Sequence, residues 1–190
     1  MLKEEIRIKY NSWRSLLSAD EVDQKSRAIA EKFIQSELWK GISVLHLFMS
    51  IPGKHEVDTS YIRSYFFQYH PEIRLCTSVI DEETNALIHT CIYPDTEYVS
   101  SKWNIPQPVH IEKVAVESID VILIPLLAFD SNGTRVGYGK GYYDRFLATC
   151  RPDVIRAGVS LFDMEEEEIK NDPWDVPLTH GISPGIIYYI

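Results

Sequence analysis

The run Asp120-Val121-Ile122-Leu123-Ile124-Pro125 limits the possible folds more than any other segment. It shows no polar alternation, and a strand of continuous apolar residues suits burial on both faces of a parallel sheet. Parallel neighbours need crossover connections, usually helical, so a run like this predicts helices above and below the sheet. The rest of the chain supplies them. Residues 3–17 read as a helix, and Ser18-Ala19-Asp20-Glu21 fits a capping box that opens a second helix reaching about residue 38. Gly41 breaks that pattern before an apolar strand over 42–48 and a turn at 51–54. Asp58 or Thr59 caps a helix in which Tyr61, Ile62, Tyr65 and Phe66 share a face. Strands are expected over 73–77, 86–92 and 155–159 and from residue 186, helices over 142–150 and 163–170, and a long loop over 93–108. The expectation is an α/β fold: one three-layer α/β/α domain over 1–190 with a mostly parallel sheet, helices 1–38 packing on the core.

Composition excludes several classes. With 45% hydrophobic and 25% charged residues the 190-residue chain is globular in type. A net charge of −9 argues against a broad nucleic-acid footprint. The longest uncharged apolar run, 121–129, is far short of the roughly 20 residues a membrane helix needs. The first residues lack the apolar stretch of a signal peptide, and the cysteines at 76, 91 and 150 form no close pair. A cytoplasmic monomer without nucleic-acid or membrane partners is expected. The six histidines show no metal-binding spacing, and no Gly-x-Ser-x-Gly elbow or cysteine with an evident base offers a covalent nucleophile.

Chemistry concentrates between the strongest strand and the next helix, in Gly133-Thr134-Arg135-Val136-Gly137-Tyr138-Gly139-Lys140-Gly141-Tyr142-Tyr143-Asp144. Glycines at 137, 139 and 141 remove side chains where a bound group could approach the backbone, and a helix start offers free amides. Lys140 and Arg135 add positive charge, and Asp144 is a hard oxygen ligand where phosphate would bring magnesium. A Walker loop would need Gly at 134 and Ser or Thr at 141, and a dinucleotide fingerprint would need Gly at 142; neither holds. From spacing alone the segment is a generic phosphate loop, or a turn that lets strand and helix pack closely.

Extended upstream through Pro125-Leu126-Leu127-Ala128-Phe129-Asp130, the segment resembles the glycine-rich signature of the 5-formyltetrahydrofolate cyclo-ligases, also called methenyltetrahydrofolate synthetases. Lys3-x-x-x-Arg7, Glu56-Val57-Asp58-Thr59, Trp103-Asn104-Ile105-Pro106-Gln107-Pro108 and Asp175 follow that family's order. The resemblance implies ATP- and magnesium-dependent closure of 5-formyltetrahydrofolate, a reduced folate, to 5,10-methenyltetrahydrofolate with release of ADP and phosphate. It assigns ATP contacts to Lys3 and Arg7, to Arg135 and Val136, and to Gly137, Tyr138, Gly139, Lys140, Gly141, Tyr142 and Tyr143. Lys140, Arg135 and Tyr142 are the implied catalytic residues. Glu56, Ile51, Trp103 and Tyr142 are assigned to the substrate, and Asp144 and Asp175 to magnesium. Two departures stand out. Tyr138 occupies a position that is basic in some relatives, and Thr179 one that is often acidic. Phe48, Met49 and Ile51 compete for one apolar substrate contact, assigned to Ile51.

Without the resemblance, Lys3 and Arg7 would pass for a solvated helix face, Glu56 for a surface carboxylate, Trp103 for a core residue, and the acidic run 165–168 remains a solvated face. Two other functions fit the same fold: a sugar-phosphate isomerase that needs no ATP, and a non-catalytic folate or nucleotide binder.

Overall fold

The computed structural model describes residues 1–81, 83–84 and 86–190. Helix α1 spans Lys3–Leu16 and α2 spans Ala19–Gln35. The capping box is formed as expected: Ser18 Oγ accepts from the Glu21 amide at 3.2 Å, and the Ser18 amide donates to the Glu21 carboxylate at 2.8 Å. Strand β1 (Val44–His46), α3 (Ser60–Tyr69), β2 (Arg74–Ile80) and β3 (Leu87–Cys91) follow, then β4 (Tyr98–Ser100), β5 (Pro106–Pro108) and β6 (Val121–Pro125). The chain continues through β7 (Ala128–Phe129), β8 (Arg135–Val136), α4 (Tyr142–Leu147), β9 (Ile155–Val159), β10 (His180–Ile182) and β11 (Ile187–Tyr189).

The main sheet has seven strands in the order β11-β10-β9-β6-β1-β2-β3. Its five inner strands run parallel, and β3 and β11 join the two edges antiparallel. The apolar run lies at the centre as β6, with Val121 beside Leu45 on one flank and Ile155 on the other. Its side chains divide between two cores. Val121 and Leu123 pack with Ile29 and Phe33 of α2 and Ile62 and Phe66 of α3, whereas Ile122 and Ile124 pack with Phe146 and Leu147 of α4. A strand needed apolar on both faces therefore has no polar alternation. Helix α1 sits elsewhere, with Ile6 and Tyr10 against Leu127, Ala128 and Val136 of the β7–β8 hairpin. Among the described residues no helix is long and apolar enough to cross a membrane.

Several expectations are corrected. Residues 163–170 form no helix, because long-range partners take the backbone amides that a helix would need. Glu165 N donates to Phe129 O at 2.8 Å, Ile169 N to the Asp130 carboxylate at 2.7 Å, and Lys170 N to Met1 O at 2.9 Å. The acidic run is also not wholly solvated, since Glu165 pairs with Lys9 and its side chain is 9% exposed. Helix α4 ends at Leu147, three residues early, where turns at Thr149 and Cys150 lead into Arg151-Pro152. Strand β10 was not foreseen: His180-Gly181-Ile182 is short with a glycine at its centre, and it is held in place by β9 and β11 on its two sides. The 93–108 loop folds part of itself into the β4–β5 hairpin.

Candidate active site

The glycine loop follows the β7–β8 hairpin and closes onto α4. Gly139 and Gly141 have φ of +84° and +68°, a region costly for other L residues. A Cβ on Gly139 would stand 3.1 Å from the Arg7 guanidinium carbon, so a side chain there would require Arg7 to give by a few tenths of an ångström. Lys3, Arg7 and Arg14 follow one face of α1 at spacings of four and seven. Each holds part of the site. Arg7 Nε donates to Gly137 O at 3.0 Å, Lys3 Nζ pairs with Asp175 and, at 3.0 Å, with Asp172, and Arg14 donates to Leu126 O and to the Tyr138 hydroxyl, both at 3.1 Å.

Lys3, Arg7, Gly137, Tyr138 and Asp175 rim one cavity of about 480 Å³, a volume usual for small-molecule sites, and Arg14 supports Tyr138 from outside its lining. Lys3, Arg7, Ile51, Glu56, Trp103, Arg135, Gly137 to Asp144 and Asp175 all line it. The structure thus brings together every residue singled out from the sequence except two. Val136 is fully buried beside Ile6 and Leu127, and its carbonyl accepts from Leu127 N at 2.7 Å, so its side chain cannot meet a ligand in the cavity. Thr179 turns away to Arg156 and His180. Five basic side chains against three carboxylates make this a positive site on a chain of net charge −9.

A model of the 5-formyltetrahydrofolate cyclo-ligase family matches residues 1–184. The chain belongs to that family. It is 45% identical over 67 residues, 35% of this chain and 40% of the other, to the 5-formyltetrahydrofolate cyclo-ligase of Mycoplasma genitalium. Against the enzyme of the same description from Haemophilus influenzae it is 26% identical over 184 residues, covering 93% and 94% of the two chains. The NMR structure of 5,10-methenyltetrahydrofolate synthetase from Aquifex aeolicus superposes with a TM-score of 0.79 at 27% identity, over 100% of this chain and 93% of that one. Membership makes the protein a ligase, and the mostly parallel α/β sheet is the architecture of its relatives.

Within this cyclo-ligase cavity the polar groups are already paired in a definite way. Arg135 donates to Asp144 Oδ1 at 2.5 Å and to the Val176 carbonyl, while Val176 N donates to the same Asp144 oxygen at 3.3 Å. Burial pulls the Arg135 guanidinium below its ordinary pKa, and Asp144 and Asp175 oppose that shift. Asp144 and Asp175 are thus both near Arg135, each with a basic partner. Magnesium commonly takes one or two carboxylates plus phosphate and water oxygens, and this donor set fits such an ion when it arrives with phosphate. Among the described residues no group of three or more His, Cys, Asp or Glu side chains is placed to hold a metal ion.

Glu56 is 7% exposed, and its two oxygens accept from the Tyr138 hydroxyl and the Ile51 amide, each at 2.6 Å. The Tyr138 hydroxyl is therefore engaged with Glu56 and Arg14 rather than with the phosphate side. Burial and the Glu56 charge push its pKa up, and burial does the same to Tyr143. Lys140 Nζ lies 3.6 Å over the Trp103 ring, a close cation–π contact that leaves its charge inside the cavity.

Sequence reasoning missed part of the wall. Phe48 and Met49 line the cavity along with Ile51, so the three-way choice has no single winner. Lys54, Ser78, Ile80, Leu87, Ile105 and Pro125 also line it. Arg14, which holds Tyr138 without lining the cavity, had a legible signal, since it continues the Lys3–Arg7 face by seven residues. Ser78, Ile80 and Leu87 had none beyond their strand positions.

Proposed function

We propose that the protein closes 5-formyltetrahydrofolate to 5,10-methenyltetrahydrofolate at the expense of ATP, releasing ADP and phosphate, with magnesium as the cofactor. The supporting observation is convergence. A glycine loop, the basic face of α1 and an apolar wall carrying one buried carboxylate meet in a single cavity of a cyclo-ligase family member. Folate and nucleotide could then lie side by side.

The formyl oxygen is a poor leaving group. In the proposed reaction it attacks the terminal phosphoryl of ATP, the neighbouring folate amine bonds to the activated carbon and loses its proton, and phosphate departs with the former formyl oxygen. The chain's own work is to orient and neutralise. Gly137, Gly139 and Gly141 let phosphate oxygens approach the backbone. Lys140 and Arg135 offset the charge of the transferring phosphoryl, with Lys3 and Arg7 completing the phosphate contacts. Bound magnesium would supply further charge neutralisation between Asp144, Asp175 and the phosphates. Glu56 accepts from donors on the pterin edge, Phe48, Met49, Ile51 and Trp103 enclose the ring, and Tyr142 stands between the two ligands.

The isomerase reading keeps the phosphate loop but gives no role to an apolar wall with Trp103, Ile51 and Leu87. Mixing protein, 5-formyltetrahydrofolate and Mg-ATP and following methenyl absorbance tests the proposal. ATP-dependent product is expected; its absence with folded protein contradicts it.

A further inference from the structure

Beneath the cavity, three adjacent strands carry a polar chain that the proposed chemistry leaves unused. His46 at the end of β1 places Nε2 2.7 Å from Ser78 Oγ on β2, and Ser78 Oγ lies 3.0 Å from His89 Nδ1 on β3. Ser78 and His89 are directly opposite in the β2–β3 register, and all three side chains lie on the α4 side of the sheet. Phe146 of α4 covers both rings, with centroids 5.2 Å from His46 and 4.0 Å from His89. His46 is fully buried, His89 is 5% exposed, and neither pairs with a carboxylate among the described residues. His46 Nδ1 is buried and has no hydrogen-bond partner among the described residues. Two imidazoles in such a place are costly where aliphatic side chains would pack, so the hydrogen bonds they make need a purpose.

Ser78 is where this chain reaches the cavity. On the same face, two residues on, Ile80 pairs with Leu87, and these also line the cavity, so the β2–β3 wall presents one hydroxyl beside two aliphatic side chains. Burial pushes both histidines down, His89 to about 4, and keeps the rings neutral. Between two neutral rings a hydroxyl is best matched by accepting from one and donating to the other. One lone pair on Ser78 Oγ then remains for the cavity, and donation by the hydroxyl makes that oxygen a better acceptor.

We infer that Ser78 is a further substrate-binding residue, accepting a hydrogen bond from an N–H of the reduced folate, with His46 and His89 as positioning residues that fix its hydroxyl. This inference rests on the proposed function. It is tested by calorimetric titration of 5-formyltetrahydrofolate and, separately, of Mg-ATP into the wild type, Ser78→Ala, His89→Leu and His89→Asn, with melting temperatures alongside.

Ser78→Ala and His89→Leu are expected to weaken folate binding roughly two- to tenfold, the range for one neutral hydrogen bond, with ATP affinity unchanged. His89→Asn keeps an acceptor near the Nδ1 position and should restore wild-type folate affinity. Unchanged folate binding in Ser78→Ala overturns the inference, as does equal weakening of both ligands, which would make the network structural only. A wild type that binds no 5-formyltetrahydrofolate would instead bring down the functional reading itself.

Discussion

Lys140 lies between two left-handed glycines and is exposed, with its charge stacked on Trp103 and no ion pair among the described residues. Under the proposed mechanism it stands opposite the transferring phosphoryl. Lys140→Ala should therefore lower turnover by on the order of a hundred- to a thousandfold, with little change in melting temperature. Turnover within about threefold of wild type at saturating ATP would make Lys140 peripheral. Glu56 is the matching residue on the substrate side. Glu56→Gln keeps the shape but replaces a charged acceptor, so folate affinity should fall by roughly ten- to a hundred-and-fiftyfold while ATP affinity holds. Calorimetry of both ligands checks this, and a parallel loss of ATP binding would indicate a disturbed Tyr138–Arg14 network instead. The glycines, Lys140, Arg135 and Asp144 stood out from residue type and spacing as a phosphate loop or a close-packing turn, and the structure brings them to one cavity. Lys3, Arg7, Glu56 and Asp175 were not: a charge one helical turn from another looks like surface until the fold brings it against a loop more than a hundred residues away.

Elements were legible where local signals agreed with tertiary context. The capping box at Ser18 and the apolar run of β6 were satisfied locally and by packing, so both formed as read. The segment 163–170 had helical composition but lost its amides to Phe129, Asp130 and Met1, partners that sequence pattern does not disclose. The glycine loop supplies a test at this scale. Gly139→Ala puts a side chain on a backbone at φ +84°, a strained conformation for alanine, and 3.1 Å from the Arg7 guanidinium, whose flexible end must give by a few tenths of an ångström, so the loop's conformation and its contact with Arg7 are disturbed. Mg-ATP affinity should drop at least tenfold while circular dichroism stays native; unaltered affinity would mean the loop's approach to Arg7 is not needed. The three-strand histidine pair gives a second. His89 titrates near 4 when folded against about 6.5 unfolded, so the unfolded chain takes up a proton first as pH falls. Its stabilising effect is complete above about pH 6.5 and is lost toward pH 4, on the order of 3 kcal/mol in all. Denaturant titrations of wild type and His89→Asn over that window should show a shallower acid decline in the variant. Parallel curves would mean His89 is not held neutral.

At the scale of the molecule, the sheet order places the carboxyl ends of β1 and β6 side by side, and the loops that follow them meet α1 and the β2–β3 ribbon around the cavity. None of this order was legible in the chain, because strand adjacency is settled by packing between segments far apart in sequence. Asp144 and Asp175, 31 positions apart, come together only through it. If they share magnesium with bound phosphate, Asp144→Asn and Asp175→Asn should each raise the magnesium concentration needed for half-maximal activity. A magnesium titration unchanged in both variants would remove them from the metal site. The most direct measurement of the whole account is absorbance of methenyl product from purified protein with 5-formyltetrahydrofolate and magnesium, with and without ATP, coupled to detection of ADP and phosphate. Product is expected only with ATP, in a one-to-one ratio with ADP and with phosphate. Product formed without ATP, or ATP consumed without product, would contradict it.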